Sequence, residues 1–141
     1  MTTVWGPADV VAAVIAFLRG FGFPAQSRVP IVRAPGMVRV QRVGGGPDNE
    51  SQDVARVLIE CWHSTQPESF DYARSLYAAM ESVQNQEDIP GLLTYTIDTG
   101  FPVQYPDELA PDLDRHQFEV SLRVAMEEVK IPHGDVEAPS P

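Results

Sequence analysis

Cysteine and long apolar runs are scarce in this sequence. Cys61 is the only cysteine, so no disulfide can form within the chain, a pattern expected in a reducing compartment. No run of eighteen apolar residues occurs, so we expect no transmembrane helix. The early apolar run at residues 10–18 follows Asp9 and has no basic segment before it, so we expect no signal peptide.

Positive charge is also scarce. The 141 residues carry 20 acidic and 10 basic side chains, a net charge of −10. Residues 1–62 hold six arginines against five acids, whereas residues 63–141 hold four basic side chains against fifteen acids. Because phosphate contacts need a positive surface, this balance argues against nucleic-acid binding. The asymmetry fits either a solubilising acidic surface or pairing between an arginine face and the acidic face of a neighbouring subunit.

The motifs that carry catalysis or metal binding are missing as well. No Gly-x-Ser-x-Gly turn, phosphate-binding glycine loop or dinucleotide fingerprint occurs. Cys61 and His63 share a strand face, but a zinc site needs three or four ligands and no second cluster accompanies them. We therefore expect Cys61 to be a buried apolar residue, and we expect no enzymatic activity, no cofactor and no metal.

Apolar residues at helical spacing predict helices at about residues 8–19 and 67–84. Strand patterns follow each helix, and this order predicts an α+β domain. Its two helices would pack on one face of a mostly antiparallel or mixed sheet. We expect a single domain at residues 1–128, which opens with a short lead-in at 1–7. An acidic, proline-containing C-terminal tail is expected at 129–141.

Alternating apolar residues predict strands at residues 37–43, 92–98 and 116–126. Residues 54–62 are apolar for most of their length, which predicts a central strand buried on both faces for much of its length. Arg56 and Glu60 interrupt this pattern and need partners. Short edge strands are expected at 29–32 and 102–105. Three consecutive glycines follow the first strand, and proline, aspartate and asparagine come next. This composition predicts a long mobile hairpin tip over residues 44–52.

The order of these patterns resembles the tail terminator proteins of long-tailed, siphovirus-type phages, particularly those of actinobacterial hosts. The resemblance covers about residues 5–128 and is one of order and pattern, with no invariant catalytic motif. It is carried by an opening helix, a strand running into a glycine loop, the strand that follows, a second helix and a closing strand. These are DVVAAVIAFL (9–18), MVRVQRVGGG (37–46), DVARVLIECW (53–62), YARSL (72–76) and RHQFEVSLRV (115–124).

The resemblance implies a structural virion protein, assembled in the host cytoplasm, that forms a homohexameric ring by closed head-to-tail association. Such a ring caps the tail tube protein, ends tube polymerisation and provides a docking surface for the head-completion or stopper protein. DNA passes through the lumen without specific binding, and no membrane is involved. A head–tail adaptor or completion protein of the connector is an alternative, and a small ligand-binding domain or enzyme is a weaker one.

Two groups of residues are candidates for the subunit or tube contact. A flexible glycine segment can become ordered on docking, and arginines near it can pair with the acidic half of a neighbour. For the arginines, pairing within the chain or exposure to solvent is the alternative. The candidates are Arg39, Arg42, Gly44, Gly45, Gly46, Asp48, Asn49, Glu50 and Arg56.

Overall fold

The computed structural model describes residues 2–85 and 88–132. Those residues form two α-helices, a short 3-10 helix and eight strands. The helices are α1 (Val10–Gly20) and α2 (Gln66–Glu81), and the 3-10 helix Ser82–Asn85 continues α2. The strands are β1 (Thr2–Gly6), β2 (Ala25–Gln26), β3 (Val38–Pro47), β4 (Gln52–His63), β5 (Thr94–Thr99), β6 (Val103–Gln104), β7 (Asp114–Ala125) and β8 (Glu127–Ile131).

Within the described residues, six strands form one mixed sheet. The strand order is β2-β3-β4-β7-β5, and β6 also pairs with β7. β2 runs parallel to β3, and the other pairs are antiparallel. The central strands β4 and β7 pair from Gln52 opposite Ala125 to His63 opposite Asp114. The sheet therefore has two ends, named here the Gln52 end and the His63 end.

Both helices begin at capping residues. The Asp9 carboxylate accepts a hydrogen bond from Ala12 N at 3.0 Å. The Thr65 hydroxyl accepts one from Glu68 N at 3.4 Å and donates to the Glu68 carboxylate at 2.9 Å. Both predicted helices are confirmed, with bounds within three residues of those expected. In the part of the chain that is described, neither these nor any other helix is long and apolar enough to cross a membrane.

The two helices pack on the same face of the sheet and enclose the hydrophobic core, which confirms the α+β architecture. α1 contributes Val14 and Leu18, and α2 contributes Leu76 and Met80, all fully buried. The sheet contributes side chains at alternate positions of its three longest strands. These are Val38, Val40, Ala55, Val57, Ile59, Cys61, Phe118, Val120, Leu122 and Val124. Of the five residues predicted to face inward from the closing strand, Phe118, Val120, Leu122 and Val124 are confirmed, whereas Met126 lies beyond the end of β7 and outside the core.

The central strand predicted at 54–62 lies within β4, and the two positions expected to interrupt its apolar pattern differ in burial. Val57 and Ile59 face the helices, but Arg56 on the opposite face is exposed. Glu60 and Trp62 on that opposite face are buried by loops and arginine side chains, since both helices lie on the other side. A run of apolar letters does not distinguish burial beneath helices from burial beneath loops.

The predicted mobile loop at 44–52 is largely wrong. Residues 44–47 extend β3 and pair with residues 53–56 of β4, which leaves only 48–51 as the turn. The register shifts between Arg42 and Gly44, where Val43 forms a β-bulge. Gly45 has a φ of 86°, and a Cβ there would overlap the Val54 carbonyl oxygen. Gly45 therefore allows a close approach of the two strands rather than flexibility.

The chain ends differ from the predicted lead-in and tail. β1 and β8 pair antiparallel as a separate two-stranded sheet, with Thr2 opposite Ile131 and Gly6 opposite Glu127. We call this pair the ribbon. The predicted boundary between residues 128 and 129 falls inside β8, and the part of the predicted tail at 133–141 lies outside the described residues.

The edge strand predicted at 29–32 is wrong, because the parallel edge strand is β2 (Ala25–Gln26). In the segment that follows, the Arg33 side chain donates hydrogen bonds to the Pro30 and Ile31 carbonyls at 2.6 and 3.0 Å. These bonds satisfy carbonyls that a strand neighbour would otherwise bind. The prediction at 102–105 is confirmed as the two-residue strand β6.

Candidate assembly surfaces

The three candidate arginines each have a carboxylate partner within the chain. The nitrogen–oxygen distances are 2.7 Å for Arg39–Glu60, 2.6 Å for Arg42–Asp53 and 2.9 Å for Arg56–Glu119. The two carboxylates of the first two pairs are buried, and both partners of the third are about half exposed. Of the two alternatives that the sequence left open, the structure shows pairing within the chain.

Glu60 lies at the centre of an ion-pair cluster on the sheet face opposite the helices. Its carboxylate accepts hydrogen bonds from Arg39 at 2.7 and 2.8 Å and from Arg115 at 3.0 Å. The guanidinium groups of Arg33, Arg39 and Arg115 lie 5.6–5.9 Å from the centroid of the Trp62 ring. A carboxylate with two cationic partners is tolerated at a buried position, and removing it would leave those cations unpaired.

Asp107 fixes the loop before β7 onto the same cluster. Its carboxylate accepts hydrogen bonds from Trp62 Nε1 at 2.9 Å and from Leu109 N at 3.0 Å, and Arg33 Nε lies 3.3 Å away. Burial alone would raise the pKa of Asp107. The two hydrogen bonds and the charges of Arg115 and Arg33 outweigh burial, so the pKa is lowered. The carboxylate is therefore ionised and holds the loop in place at neutral pH.

At the hairpin tip, two of the candidate residues build the turn and one points to solvent. Asp48 accepts a hydrogen bond from Arg123 of β7. Asn49 Oδ1 accepts hydrogen bonds from the backbone N and the hydroxyl of Ser51, both at 2.9 Å. Glu50 is exposed and has no hydrogen-bond or ion-pair partner in residues 2–85 and 88–132. Of the predicted contact residues at the tip, Glu50 alone keeps its charge available for a partner.

A serine and a histidine lie within hydrogen-bond distance in the core. Ser69 Oγ is 2.7 Å from His116 Nδ1, and Cys61 Sγ is 3.8 Å from the Ser69 carbonyl oxygen. All three are at most 3% exposed, which confirms the predicted burial of Cys61. Burial lowers the pKa of His116 and raises the pKa of Cys61 to about 12. A neutral imidazole and a protonated thiol, closed to solvent, join α2 to β4 and β7.

The ribbon displays apolar side chains that sequence reasoning missed. Trp5 is 64% exposed, and Val4, Val129 and Ile131 are each more than one-third exposed. The register places Val4 and Val129 opposite each other, on the ribbon face that also carries Ile131. Trp5 lies on the other face, beside the hairpin tip. The alternation of Val129 and Ile131 was the sequence signal that could have identified this strand.

A groove between α1 and β2 was also missed. It has a volume of ≈ 630 Å³, and its lining includes Ala12, Ile15, Arg19, Gln26 and Arg28. Arg19 Nε donates a hydrogen bond to the Ala25 carbonyl at 2.8 Å, and Arg28 is exposed. The groove therefore combines an apolar helix surface with two positive charges. No sequence motif marks it, because its residues come from segments with different local structure.

A second groove, of ≈ 670 Å³, lies between α2 and the segment after β5. Phe70, Tyr77 and Phe101 line it, and the Tyr77 and Phe101 rings stack with centroids 5.5 Å apart. Its two charged lining residues, Asp71 and Arg74, lie 3.5 Å apart and pair with each other. The Ser75 hydroxyl in the same lining donates a hydrogen bond to the Asp71 carbonyl at 3.3 Å. These polar groups therefore bind one another within α2 and do not converge on a small ligand.

The described residues also offer no candidate metal site. Within the described part of the chain, no three or more histidine, cysteine, aspartate or glutamate side chains are grouped so that they could hold a metal ion. The chain has no significant match among models of known protein families or among curated proteins.

Proposed function

We propose that this chain is a structural subunit that assembles with copies of itself into a ring, and that the ring is the tail terminator of a long-tailed phage. In this role the ring binds the last ring of the tail tube, stops tube growth and presents a surface to the head-completion protein. No covalent bond is made or broken. DNA passes through the lumen without sequence-specific contacts.

The observation that carries the proposal is the exposed ribbon. Apart from Gly6, every described residue of β1 and β8 is exposed, and neither strand joins the six-stranded sheet in residues 2–85 and 88–132. An isolated two-stranded pair is marginally stable in water. A ribbon with Trp5, Val4 and Val129 facing solvent gains stability when another molecule covers it, as assembly into a ring would do.

The placement of the reactive side chains supports a structural role over a catalytic one. A nucleophile and its base must be within reach of a substrate. Ser69, His116 and Cys61 are near one another but are closed off in the core. The carboxylates of Glu60 and Asp53 are buried and accept hydrogen bonds from arginines. These groups hold the sheet and its loops in one conformation, which a ring subunit requires.

Sedimentation velocity and negative-stain imaging of the full chain, alone and mixed with polymerising tail tube protein, test the proposal. We expect a species of six times the 15.5 kDa chain mass and a ring at one end of tubes that no longer grow. A chain that stays monomeric at every concentration, with and without tube protein, contradicts ring assembly. Rings that bind the head connector but not the tube would contradict the terminator role and favour the adaptor role.

A further inference from the structure

We infer that the ribbon of one copy docks in the groove between α1 and β2 of the next copy, with Glu127 facing Arg28. The inference rests on the proposed ring and names the surfaces that would form its subunit interface. Each copy would contribute a ribbon to one neighbour and a groove to the other. Such a heterologous contact generates a ring when the rotation between neighbours closes.

The first argument comes from the pairing of arginines. Seven of the nine arginines lie within 4.0 Å of a carboxylate in the same chain: Arg33, Arg39, Arg42, Arg56, Arg74, Arg115 and Arg123. In residues 2–85 and 88–132, Arg19 and Arg28 have no such partner, and both line the α1–β2 groove. The arginine charge that is not neutralised within the described residues is therefore concentrated at one surface. That surface favours an acidic partner.

The second argument is that the ribbon matches this surface. On one ribbon face Val4, Val129 and Ile131 form an apolar strip, and Glu127 extends the same face at its base. Neither Glu127 nor Glu128 has an ion-pair partner in the described residues. An apolar strip that begins at the Glu127 carboxylate is complementary to an apolar helix surface flanked by two guanidinium groups.

The third argument concerns the far end of the ribbon's own groove. The ribbon leaves the sheet at the Gln52 end, since Met126 N bonds to the Ser51 carbonyl. Gln26 of the groove pairs with Arg39, which pairs with Glu60, eight residues along β4 from Gln52. Eight strand residues span ~26 Å, whereas the five-residue ribbon is ~17 Å long. The Gln26 end of the groove therefore lies beyond the length of the ribbon in the same copy, and the ribbon of a second copy can supply the contact there.

Charge reversal tests the contact. Arg28→Glu and Glu127→Arg should each weaken assembly about tenfold or more, because each places like charges across the interface. The double variant R28E/E127R should restore assembly, since the pair is regained with its signs exchanged. Arg74→Glu, which reverses an exposed arginine of the other groove, is the matched control and should assemble as the wild type does. Sedimentation velocity over a concentration series measures each effect.

Cross-linking tests the location directly. Cys61 is buried and its thiol stays protonated, so the wild-type chain gives little background with a short bismaleimide cross-linker. Ser27→Cys and Ile131→Cys add one exposed thiol each, in the groove and on the docking face of the ribbon. A covalent dimer should form in a mixture of the two variants and not in either variant alone. Unfolding curves of each variant check that the fold is intact.

The possible outcomes separate this inference from the proposed function. If rings form, but the mixture gives no dimer and both single reversals assemble normally, the docking site is wrong and the ring proposal stands. If the ribbon thiol cross-links only to tube protein, the occupant of the groove is not a second copy, and the inference is overturned. If no oligomer forms with or without tube protein, both the ring and the contact are contradicted.

Discussion

The β3–β4 hairpin and the β1–β8 ribbon are both antiparallel pairs near the Gln52 end of the sheet, yet they are stabilised in different ways. The hairpin is anchored by the bidentate Arg42–Asp53 pair, with nitrogen–oxygen distances of 2.6 and 2.9 Å. Arg123 of β7 binds its tip at Asp48. The ribbon is held by its own pairing, and its apolar side chains face solvent. Composition alone predicts a flexible hairpin and a well-anchored ribbon, because the hairpin contains the glycines and the ribbon contains the β-branched residues.

The difference shows that internal partners, and not the glycine count, determine which segment is built into the body of the protein. Glycine allows many backbone conformations, but the ion pairs Arg42–Asp53 and Arg123–Asp48 stabilise one of them in this hairpin. A β-branched strand without such neighbours remains a marginal structure. We call the six-stranded sheet with its two helices the body. Single substitutions in the body should therefore lower the free energy of unfolding, whereas substitutions in the ribbon should change it little.

The largest effect is expected at the centre of the body. Glu60→Ala leaves Arg39 and Arg115 without their carboxylate, and both guanidinium groups are mostly buried. We expect the free energy of unfolding to fall by roughly 3–5 kcal/mol, measured by urea denaturation. Glu119→Ala, which removes the half-exposed partner of Arg56, is the control and should cost about 1 kcal/mol or less. Equal losses in the two variants would show that the cluster does not stabilise the fold.

A smaller loss is expected in the hairpin. Gly45→Ala places a Cβ at a positive φ and against the Val54 carbonyl oxygen, so β3 must shift away from β4. We expect a loss of roughly 2–3 kcal/mol in the free energy of unfolding.

The matched control for this substitution is Gly46→Ala, because a Cβ at Gly46 meets no atom within 4 Å. Its effect should be smaller than about 1 kcal/mol. If both alanine variants unfold at the same urea concentration as the wild type, the hairpin is flexible after all, and the contrast with the ribbon disappears.

The smallest effect on stability is expected in the ribbon. Trp5→Ala removes a large but exposed side chain, so the free energy of unfolding of the dilute, unassembled chain should change by less than about 0.5 kcal/mol. In concentrated solution the same variant should assemble as the wild type does, because Trp5 lies on the ribbon face opposite the strip that docks in the proposed interface. A clear loss of stability in the dilute chain would mean that Trp5 packs firmly on the hairpin tip and belongs to the body.

Much of the fold follows from periodicity in the sequence. The apolar spacing around Val14 and Leu18, and the alternation from Phe118 to Val124, identify α1 and β7 because burial on one face imposes those periods. Thr65 and Glu68 locate the start of α2 because a capping box satisfies backbone N–H groups locally. Periodicity and capping involve residues that are close in sequence, so both can be recognised in one amino-acid sequence.

The site residues were less accessible to such reasoning because their partners are distant in sequence. Arg39 and Glu60, or Arg56 and Glu119, become neighbours through strand pairing that no local pattern specifies. β2 was missed because a strand of only two residues is too short to show an alternating pattern. β1 was missed because residues 2–6 show no pattern that distinguishes a strand from an irregular segment. Their strand conformation depends on pairing with β8, which is distant in sequence.

The ribbon also sets an order of events during synthesis. β1 leaves the ribosome before both helices and the six-stranded sheet, and its partner β8 follows only after all of them have been translated. Thr2 and Ile131 are far apart in sequence, and contacts of such separation form late in folding. A subunit interrupted before β8 would lack the ribbon, so only a chain translated through β8 would carry the element that we assign to joining its neighbours.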